Sequence, residues 1–169
     1  KHSAFSEYDF SKTDVKKLLE GYTWLHLSGI TPALGTKCRD LILNCLKAAK
    51  EMDMTVSFDG NFRSTLWTWE EARDFCTLCL RYVNVLFGME PYHIWKKEED
   101  HSAGDVKDGI PFQPDLEQQE KVFRAFADRY PNIKCIARHV RFAHSCSENS
   151  LMAYLWLNGK TYESKRLTF

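Results

Sequence analysis

The chain has 169 residues, 44% of them hydrophobic and 14% aromatic, which favours one folded domain with a real core over a disordered segment. Lys plus Arg and Asp plus Glu both number 23, and this balance gives no general attraction for nucleic acid or an anionic membrane. No apolar run is long enough to span a bilayer, and no signal peptide is visible. We therefore expect a cytoplasmic protein with no nucleic-acid or membrane partner.

The first half of the chain alternates helical and strand patterns. The predicted elements are a helix over 14–20 capped by Ser11 or Thr13, a buried strand over 23–27, a helix over 37–52 capped by Thr36, and a strand over 54–58. Each strand is followed directly by polar residues or glycine, which is typical of strand ends in α/β proteins.

The second half continues the alternation and ends in a hairpin. Thr68 and Glu71 form a capping box at the start of a helix that runs to about Tyr82. The later predictions are a strand over 83–87, a charged excursion over 96–115, a helix over 116–129, a strand over 133–137, and a hairpin of 151–157 with 161–167 around Asn158-Gly159. This order predicts a mainly parallel sheet flanked by helices.

The polar loop after the second strand is the main candidate site. Asp59, Asn61 and Arg63 place an anion, an amide and a cation on alternate residues. Ligands bind outside the carboxyl ends of strands in such sheets. The ends at Ser28-Gly29 and at 88–90 should lie on the same edge, which favours a ligand site. A solvated turn with Arg63 in water is the alternative.

Cysteines and histidines offer a weaker alternative. Cys76 and Cys79 form a C-x-x-C inside a helical segment, without a second pair at zinc-ribbon spacing, so we expect buried thiols rather than a zinc or redox site. His139 and His144 do not have convincing zinc-ligand spacing outside a helix. No P-loop, dinucleotide fingerprint or G-x-S-x-G nucleophile elbow is present.

A family resemblance is carried by several segments of the chain. They are WLHLSGITPALG, VSFDGNFRSTLW, VNVLFGMEP, ARHVRFAHSCSENSLMAYLW and NGKTYES. Together they resemble the central portion of 2-keto-3-deoxygluconate kinases, which are sugar-acid kinases of the ribokinase (PfkB carbohydrate kinase) family. The resemblance implies a ribokinase-like three-layer sandwich. It also implies ATP-dependent transfer of a phosphoryl group, with Mg²⁺, to a terminal hydroxyl of the sugar acid.

The resemblance implies roles for particular residues. Asn61, Phe62 and Arg63 would lie at the phosphate-transfer edge of the ATP site, and Arg63 would contact both the sugar acid and the transferring phosphoryl group. Asp59 would anchor the loop and act through water on the metal. The turn holding Ser145, Ser147, Glu148 and Ser150 would run along the nucleotide, although family members are usually richer in glycine there.

Two features depart from the family pattern. Glu90 would help to hold Mg²⁺, but the Asn-x-x-Glu motif expected there is degenerate, with Met89 at the Asn place and Tyr92 at the Glu place. The Gly-Asp motif that supplies the catalytic base is not matched, and Gly104-Asp105 does not follow a strand. We therefore interpret residues 1–169 as the central part of one kinase domain, inactive alone. The resemblance implies that the full-length form is a homo-oligomer.

Other functions remain open from the sequence. A kinase for another sugar, such as fructose or ribose, fits most of the same motifs, because the lid that distinguishes these kinases is not matched. A non-catalytic nucleotide- or sugar-binding module fits the degenerate metal motif and the unmatched base. A zinc or redox protein would depend on Cys76 and Cys79.

Overall fold

The computed structural model describes residues 3–89, 91–92, 116–145 and 148–169. Its helices are α1 (Ala4–Glu7), α2 (Val15–Leu19), α3 (Ile30–Ala33), α4 (Thr36–Glu51), α5 (Trp69–Cys79) and α6 (Leu116–Arg129), with 3₁₀ turns at Phe10–Lys12 and Leu80–Tyr82. Its strands are β1 (Trp24–Ser28), β2 (Thr55–Asp59), β3 (Val85–Phe87), β4 (Cys135–Ala143), β5 (Asn149–Leu157), β6 (Lys160–Glu163) and β7 (Leu167–Thr168). The predicted excursion over 96–115 lies outside the described residues.

One sheet organises the described chain. Strands β1 to β6 lie side by side in sequence order, and β7 also pairs with β5. The pairs from β1 to β4 are parallel, whereas β4, β5 and β6 are antiparallel. Parallel neighbours place the ends of β1, β2 and β3 on one edge, as the alternation of helices and strands predicts. The predicted α/β fold is therefore confirmed, but the sheet is mixed, because β5, β6 and β7 join it through antiparallel pairs.

The core lies between the helices and one face of the sheet. Val56, Phe58, Leu86 and Ile136 alternate with less buried neighbours on successive strands and are at most 1% exposed. The helices supply the facing apolar side chains, including Ile42, Leu46, Ala72, Phe75, Phe123 and Phe126. Full burial of one such large side chain stabilises the fold by about 1.5–3 kcal/mol. Within the described ranges, no helix is both long enough and apolar enough to cross a membrane.

The beginnings of the first elements differ from the predictions. Asp14, not Ser11 or Thr13, caps α2, since its Oδ1 accepts the Lys17 N–H at 3.1 Å. Gly35, not Thr36, precedes α4, with a φ of 147° that glycine adopts readily. The strand predicted to be buried, β1, lies at the edge of the sheet, and Trp24 on it is 55% exposed. Hydrophobicity alone did not distinguish an edge strand from a central one.

The fourth strand is longer than the predicted 133–137. Strand β4 runs from Cys135 to Ala143 and pairs with β5 along its full length. Arg138 falls between Ile136 and Val140 on the buried face, where it interrupts the apolar pattern. Its Nη1 donates to Oε1 of the fully buried Gln119 at 2.9 Å. A hydrogen bond of this kind helps to accommodate a cation at a partly buried position.

The predicted hairpin is confirmed, but its second strand is interrupted. Asn158 and Gly159 both have positive φ, 48° and 87°, as a tight two-residue turn requires. The register changes by one residue between the pairs Tyr154–Glu163 and Leu151–Leu167. The extra residue is a β-bulge that separates β6 from β7.

The predicted capping box of α5 is also confirmed. Thr68 Oγ1 accepts the Glu71 N–H at 3.2 Å, and a Glu71 carboxylate oxygen accepts the Thr68 N–H at 3.0 Å. We expect Thr68→Ala to destabilise the protein by about 1 kcal/mol, because one helix N–H loses its acceptor. Thermal unfolding should show the loss as a lower Tm. Thr65→Ala, at an exposed residue outside the helix, is the control, and an equal shift in both variants would contradict the capping role.

Candidate functional site

The ends of β1 and β2 are bonded tightly to each other. Ser28 pairs with Asp59 in the parallel register, and the Gly29 N–H donates to the Asp59 carbonyl at 2.8 Å. A Cβ added to Gly29 would lie 2.0 Å from the Gly60 carbonyl oxygen, closer than any real contact. Glycine is therefore required at position 29, because the two backbones pass without room for a side chain.

The loop after β2 has a defined conformation. Asp59 Oδ1 accepts the Asn61 N–H at 2.9 Å, and Asn61 adopts a φ of 41°. The Asn61 side-chain amide donates to Ser28 Oγ at 3.2 Å. Asn and Asp favour such local turns because their short side chains bond the neighbouring backbone. The predicted meeting of the first two strand ends is thus confirmed.

The third strand end joins the same edge. Phe87, the last residue of β3, pairs with Asp59, and the Gly88 N–H donates to the Ala137 carbonyl at 2.8 Å. The predicted edge therefore includes the ends of β1, β2 and β3. Glu90, the sequence-predicted metal residue on this edge, lies outside the described residues.

Arg63 is exposed at the end of the loop. Its Nη1 donates to the Phe62 carbonyl at 2.9 Å, and no carboxylate in the described ranges forms an ion pair with it. The Phe62 ring packs edge-on against Trp69, with centroids 4.9 Å apart, and this contact attaches the loop to the start of α5. A planar guanidinium presented in this way can bind a carboxylate or a phosphoryl group through two parallel hydrogen bonds.

The other predicted nucleotide residues lie farther along the sheet. Phe87 at the end of β3 pairs with Ala137, and β4 then continues for roughly 20 Å at the usual strand rise before the turn that follows Ala143. In that turn the Ser145 hydroxyl accepts the Glu148 N–H at 3.0 Å. Both side chains are exposed.

Ser150 differs from its neighbours in the turn because it is buried. Its Oγ lies 2.7 Å from His144 Nε2 and 2.9 Å from Thr168 Oγ1. These bonds connect the tip of the β4–β5 hairpin to β7. Ser147, also predicted to contact the nucleotide, lies outside the described residues.

The degenerate metal motif has a structural explanation. Met89 is 6% exposed and Tyr92 is fully buried, so both departures from the family pattern contribute to the core. Among residues 3–89, 91–92, 116–145 and 148–169, no three His, Cys, Asp or Glu side chains cluster as metal ligands. Asp59 is the sequence-predicted metal residue that the structure describes, and Oδ1 of its carboxylate already accepts the Asn61 N–H.

Cys76 and Cys79 are buried thiols, as predicted. Both are fully buried in the core beside the candidate loop. Burial raises the pKa of Cys79 to about 12 and that of Cys76 well above its ordinary value. Thiols in this state are protonated near neutral pH, and it is the thiolate that binds metal or attacks a disulfide. This environment disfavours a zinc or redox function.

The sequence patterns did not indicate two side-chain contacts around the site. Ser28 was recognised only as part of a strand end, yet its hydroxyl bonds the Asn61 side chain. Arg39 donates to the Pro32 carbonyl at 3.3 Å and lies 5.6 Å from the centre of the Trp67 ring, which links α3, α4 and the loop before α5. No short motif indicates either contact, because the partners are distant in sequence.

This architecture is that of the ribokinase-like PfkB carbohydrate kinases. A PfkB family carbohydrate kinase from Listeria grayi superposes with a TM-score of 0.77 and 27% identity, over 99% of this chain and 48% of its own. The resemblance to this family indicated by the sequence motifs is thus confirmed. No family model matches the chain.

Two relatives have names that specify a sugar-acid substrate. The chain is similar to 2-dehydro-3-deoxygluconokinase from Thermotoga maritima, with 32% identity, a TM-score of 0.80, and coverage of 99% of this chain and 47% of that one. It is 38% identical over 73 residues to 2-dehydro-3-deoxygalactonokinase from Haloferax volcanii, which is 43% of this chain and 23% of the relative. The chain spans about half the length of the structures it matches.

A more distant structure shares only the fold. A ribokinase-type protein from E. coli, in complex with ATP and Mg²⁺, has a TM-score of 0.55 and 15% identity, over 89% of this chain and 40% of its own.

Proposed function

We propose that the chain is the central part of a sugar-acid kinase that phosphorylates 2-keto-3-deoxygluconate with ATP and Mg²⁺. The observation that carries this proposal is the Asp59–Arg63 loop, bonded to Ser28 and Gly29 at the carboxyl edge of a ribokinase-like sheet. The loop presents the exposed Arg63 at the place where ligands bind in such sheets. A small sugar acid and ATP are the proposed partners, and a cytoplasmic, homo-oligomeric protein is part of the proposal.

The residues of the loop fit the anionic groups of this reaction. Phosphoryl transfer depends mainly on positioning and on neutralising charge. Arg63 can bind the sugar-acid carboxylate or the transferred phosphoryl group, while Asn61 is fixed by Asp59 and Ser28. Asp59 can offer a carboxylate oxygen to a hydrated cation, which is the oxygen chemistry that Mg²⁺ prefers. When bound, MgATP supplies the phosphoryl group and part of the positive charge around it.

The exposed face of the sheet supports the proposal of a central part. Phe87, Leu155 and Tyr162 lie in one row of the register, on the face opposite the helices, and are 36–50% exposed. Trp24, Leu151 and Leu157 enlarge this apolar face. Trp24 and Phe87 belong to the parallel part of the sheet, which is of the kind normally covered on both faces. We propose that the remaining half of a kinase domain, similar in length to its relatives, covers it.

Substrate choice within the family is a finer proposal. The two relatives with the more specific names are named for different sugar acids, a deoxygluconate in one and a deoxygalactonate in the other. Arg63 favours a substrate with a carboxylate over neutral sugars such as fructose or ribose, because its charge would otherwise lack a partner in the sugar. A sugar acid is therefore the first substrate to test.

Kinase assays on two proteins test the proposal. ADP release should be measured with 2-keto-3-deoxygluconate, 2-keto-3-deoxygalactonate, fructose and ribose, for the complete product of the coding sequence and for residues 1–169. We expect ATP-dependent turnover of a keto-deoxy acid by the first protein, provided that it is longer, and none by the second. Turnover of neutral sugars alone would contradict the substrate, and activity of residues 1–169 would contradict the proposed central part.

The non-catalytic alternative predicts ligand binding without turnover, which a fluorescence titration beside the kinase assay would detect. Met89 and Tyr92 are buried in the core and stand where the resemblance implies an Asn and a Glu that help to hold the metal, which is the observation that favours a binding module. Such a module would quench or enhance tryptophan fluorescence on titration with MgATP or sugar acid, without releasing ADP. Trp69, packed against Phe62 of the loop, is a natural reporter.

A further inference from the structure

Tyr92 carries a buried hydroxyl beneath the candidate loop. The residue is fully buried, and its ring meets Phe126 edge-on with centroids 5.8 Å apart. In the described part of the chain, its Oη has no hydrogen-bond partner at ordinary geometry. A buried hydroxyl without a partner costs about 1–3 kcal/mol, and phenylalanine would fill the same space without that cost. The hydroxyl therefore requires an explanation.

The backbone of the loop contains a complementary group. The Gly29 N–H is bonded to the Asp59 carbonyl and the Asn61 N–H to the Asp59 carboxylate. Gly60, which lies between them in the loop, is buried, and its N–H is near enough to the Tyr92 hydroxyl to lower the pKa of that group. Within the described ranges, no acceptor is bonded to this N–H. A buried donor and a buried acceptor thus lie near each other, short of a full hydrogen bond.

The surroundings set the direction of such a bond. Burial raises the pKa of Tyr92, and nearby Cys76, Asp59 and Cys79 raise it further, whereas the Gly60 N–H lowers it. The negative charge of the Asp59 carboxylate favours a hydroxyl proton that points toward it. The oxygen lone pairs are then available to the Gly60 N–H, which is the arrangement that satisfies both groups.

We propose that Tyr92 is a positioning residue, whose hydroxyl accepts the Gly60 N–H and holds the Asp59–Arg63 loop against the core. A small movement of the loop closes the bond. The role of Arg63 and Asn61 in phosphoryl transfer rests on the proposed function, but the bond itself does not.

Tyr92→Phe tests the bond, because it keeps the ring packing and removes only the hydroxyl. Amide hydrogen exchange and the amide chemical shifts of Gly60 and Asn61 should be measured by NMR in the 169-residue protein. We expect exchange at Gly60 to become roughly five- to tenfold faster, in line with the loss of one net hydrogen bond. Tyr154→Phe is the matched control, since Tyr154 is also buried but bonds Met152 on β5.

Three outcomes would overturn the proposal. The first is an unchanged Gly60 amide in a folded Tyr92→Phe protein, and the second is an equal response to Tyr154→Phe. The third is measured on the wild type alone. If the Gly60 amide exchanges as fast as an unprotected peptide amide, it has no hydrogen-bond acceptor. If Gly60 responds as expected but the complete protein shows no kinase activity, positioning stands and the proposed function fails.

Discussion

Replacing Arg63 by alanine in the kinase-active protein is expected to lower kcat/KM for the sugar acid by roughly 10²- to 10³-fold, the usual effect of removing one preorganised charge-stabilising group. Arg63 is exposed, carries no carboxylate partner among the described residues, and follows a loop that is bonded at Asp59 and Asn61. Its charge is therefore available to a ligand. Steady-state kinetics with MgATP and 2-keto-3-deoxygluconate measure the effect.

Two further variants separate the causes of a slower Arg63→Ala enzyme. Arg63→Lys keeps the charge but loses the planar fork, so it should recover only part of the rate. Arg81→Ala removes another exposed arginine, located just before β3 at the opposite edge of the sheet, and should leave the kinetics unchanged. A rate for Arg63→Ala within about threefold of the wild type would exclude the assigned role. An equal decrease in kcat/KM for Arg81→Ala would indicate a general charge effect instead.

Sequence patterns predicted the order of the elements well because hydrophobic periodicity and end signals act locally. The helix over 116–129, the capping box at Thr68 and the turn at Asn158-Gly159 are all found as expected. Each depends on residues that are neighbours in the chain. The convergence of strand ends also followed, because parallel strands joined by helices must place their carboxyl ends together.

The misjudged features depend on tertiary partners. Arg138 lies on the core-facing side of β4 and donates a hydrogen bond to Gln119 on α6, a partner that is distant in sequence, so the true length of the strand was hidden. The exposure of Trp24 follows from the edge position of β1, which no local pattern specifies. The length of β4 matters for the predicted nucleotide residues too, since Ser145 and Glu148 follow the end of the extended strand and not the end of a five-residue one. Whether these residues bind a nucleotide stays a prediction.

The close approach of Gly29 and Gly60 predicts a large effect on stability. Gly29 has φ −64° and ψ −11°, which alanine also adopts, so Gly29→Ala introduces no backbone strain of its own. Its Cβ, however, would meet the Gly60 carbonyl oxygen at 2.0 Å and the Gly60 carbonyl carbon at 2.9 Å. Either the loop or the end of β1 must move, and the Gly29 to Asp59 hydrogen bond is lost with it. We expect a destabilisation of about 3 kcal/mol, at the upper end for overpacking.

Thermal unfolding measures this destabilisation, and a glycine in open space provides the comparison. At roughly 2–4 °C per kcal/mol for a chain of this size, Gly29→Ala should lower the Tm by roughly 6–12 °C. Gly21→Ala introduces a side chain at φ +81° with no atom within 4 Å, so its cost is conformational only and about 1 kcal/mol. An equal Tm for both variants would show that β1 and the loop are not in contact in solution. A larger fall for Gly29→Ala, with the amide signals of Asn61 displaced, is expected because the same contact that excludes a methyl group fixes the loop that carries Arg63.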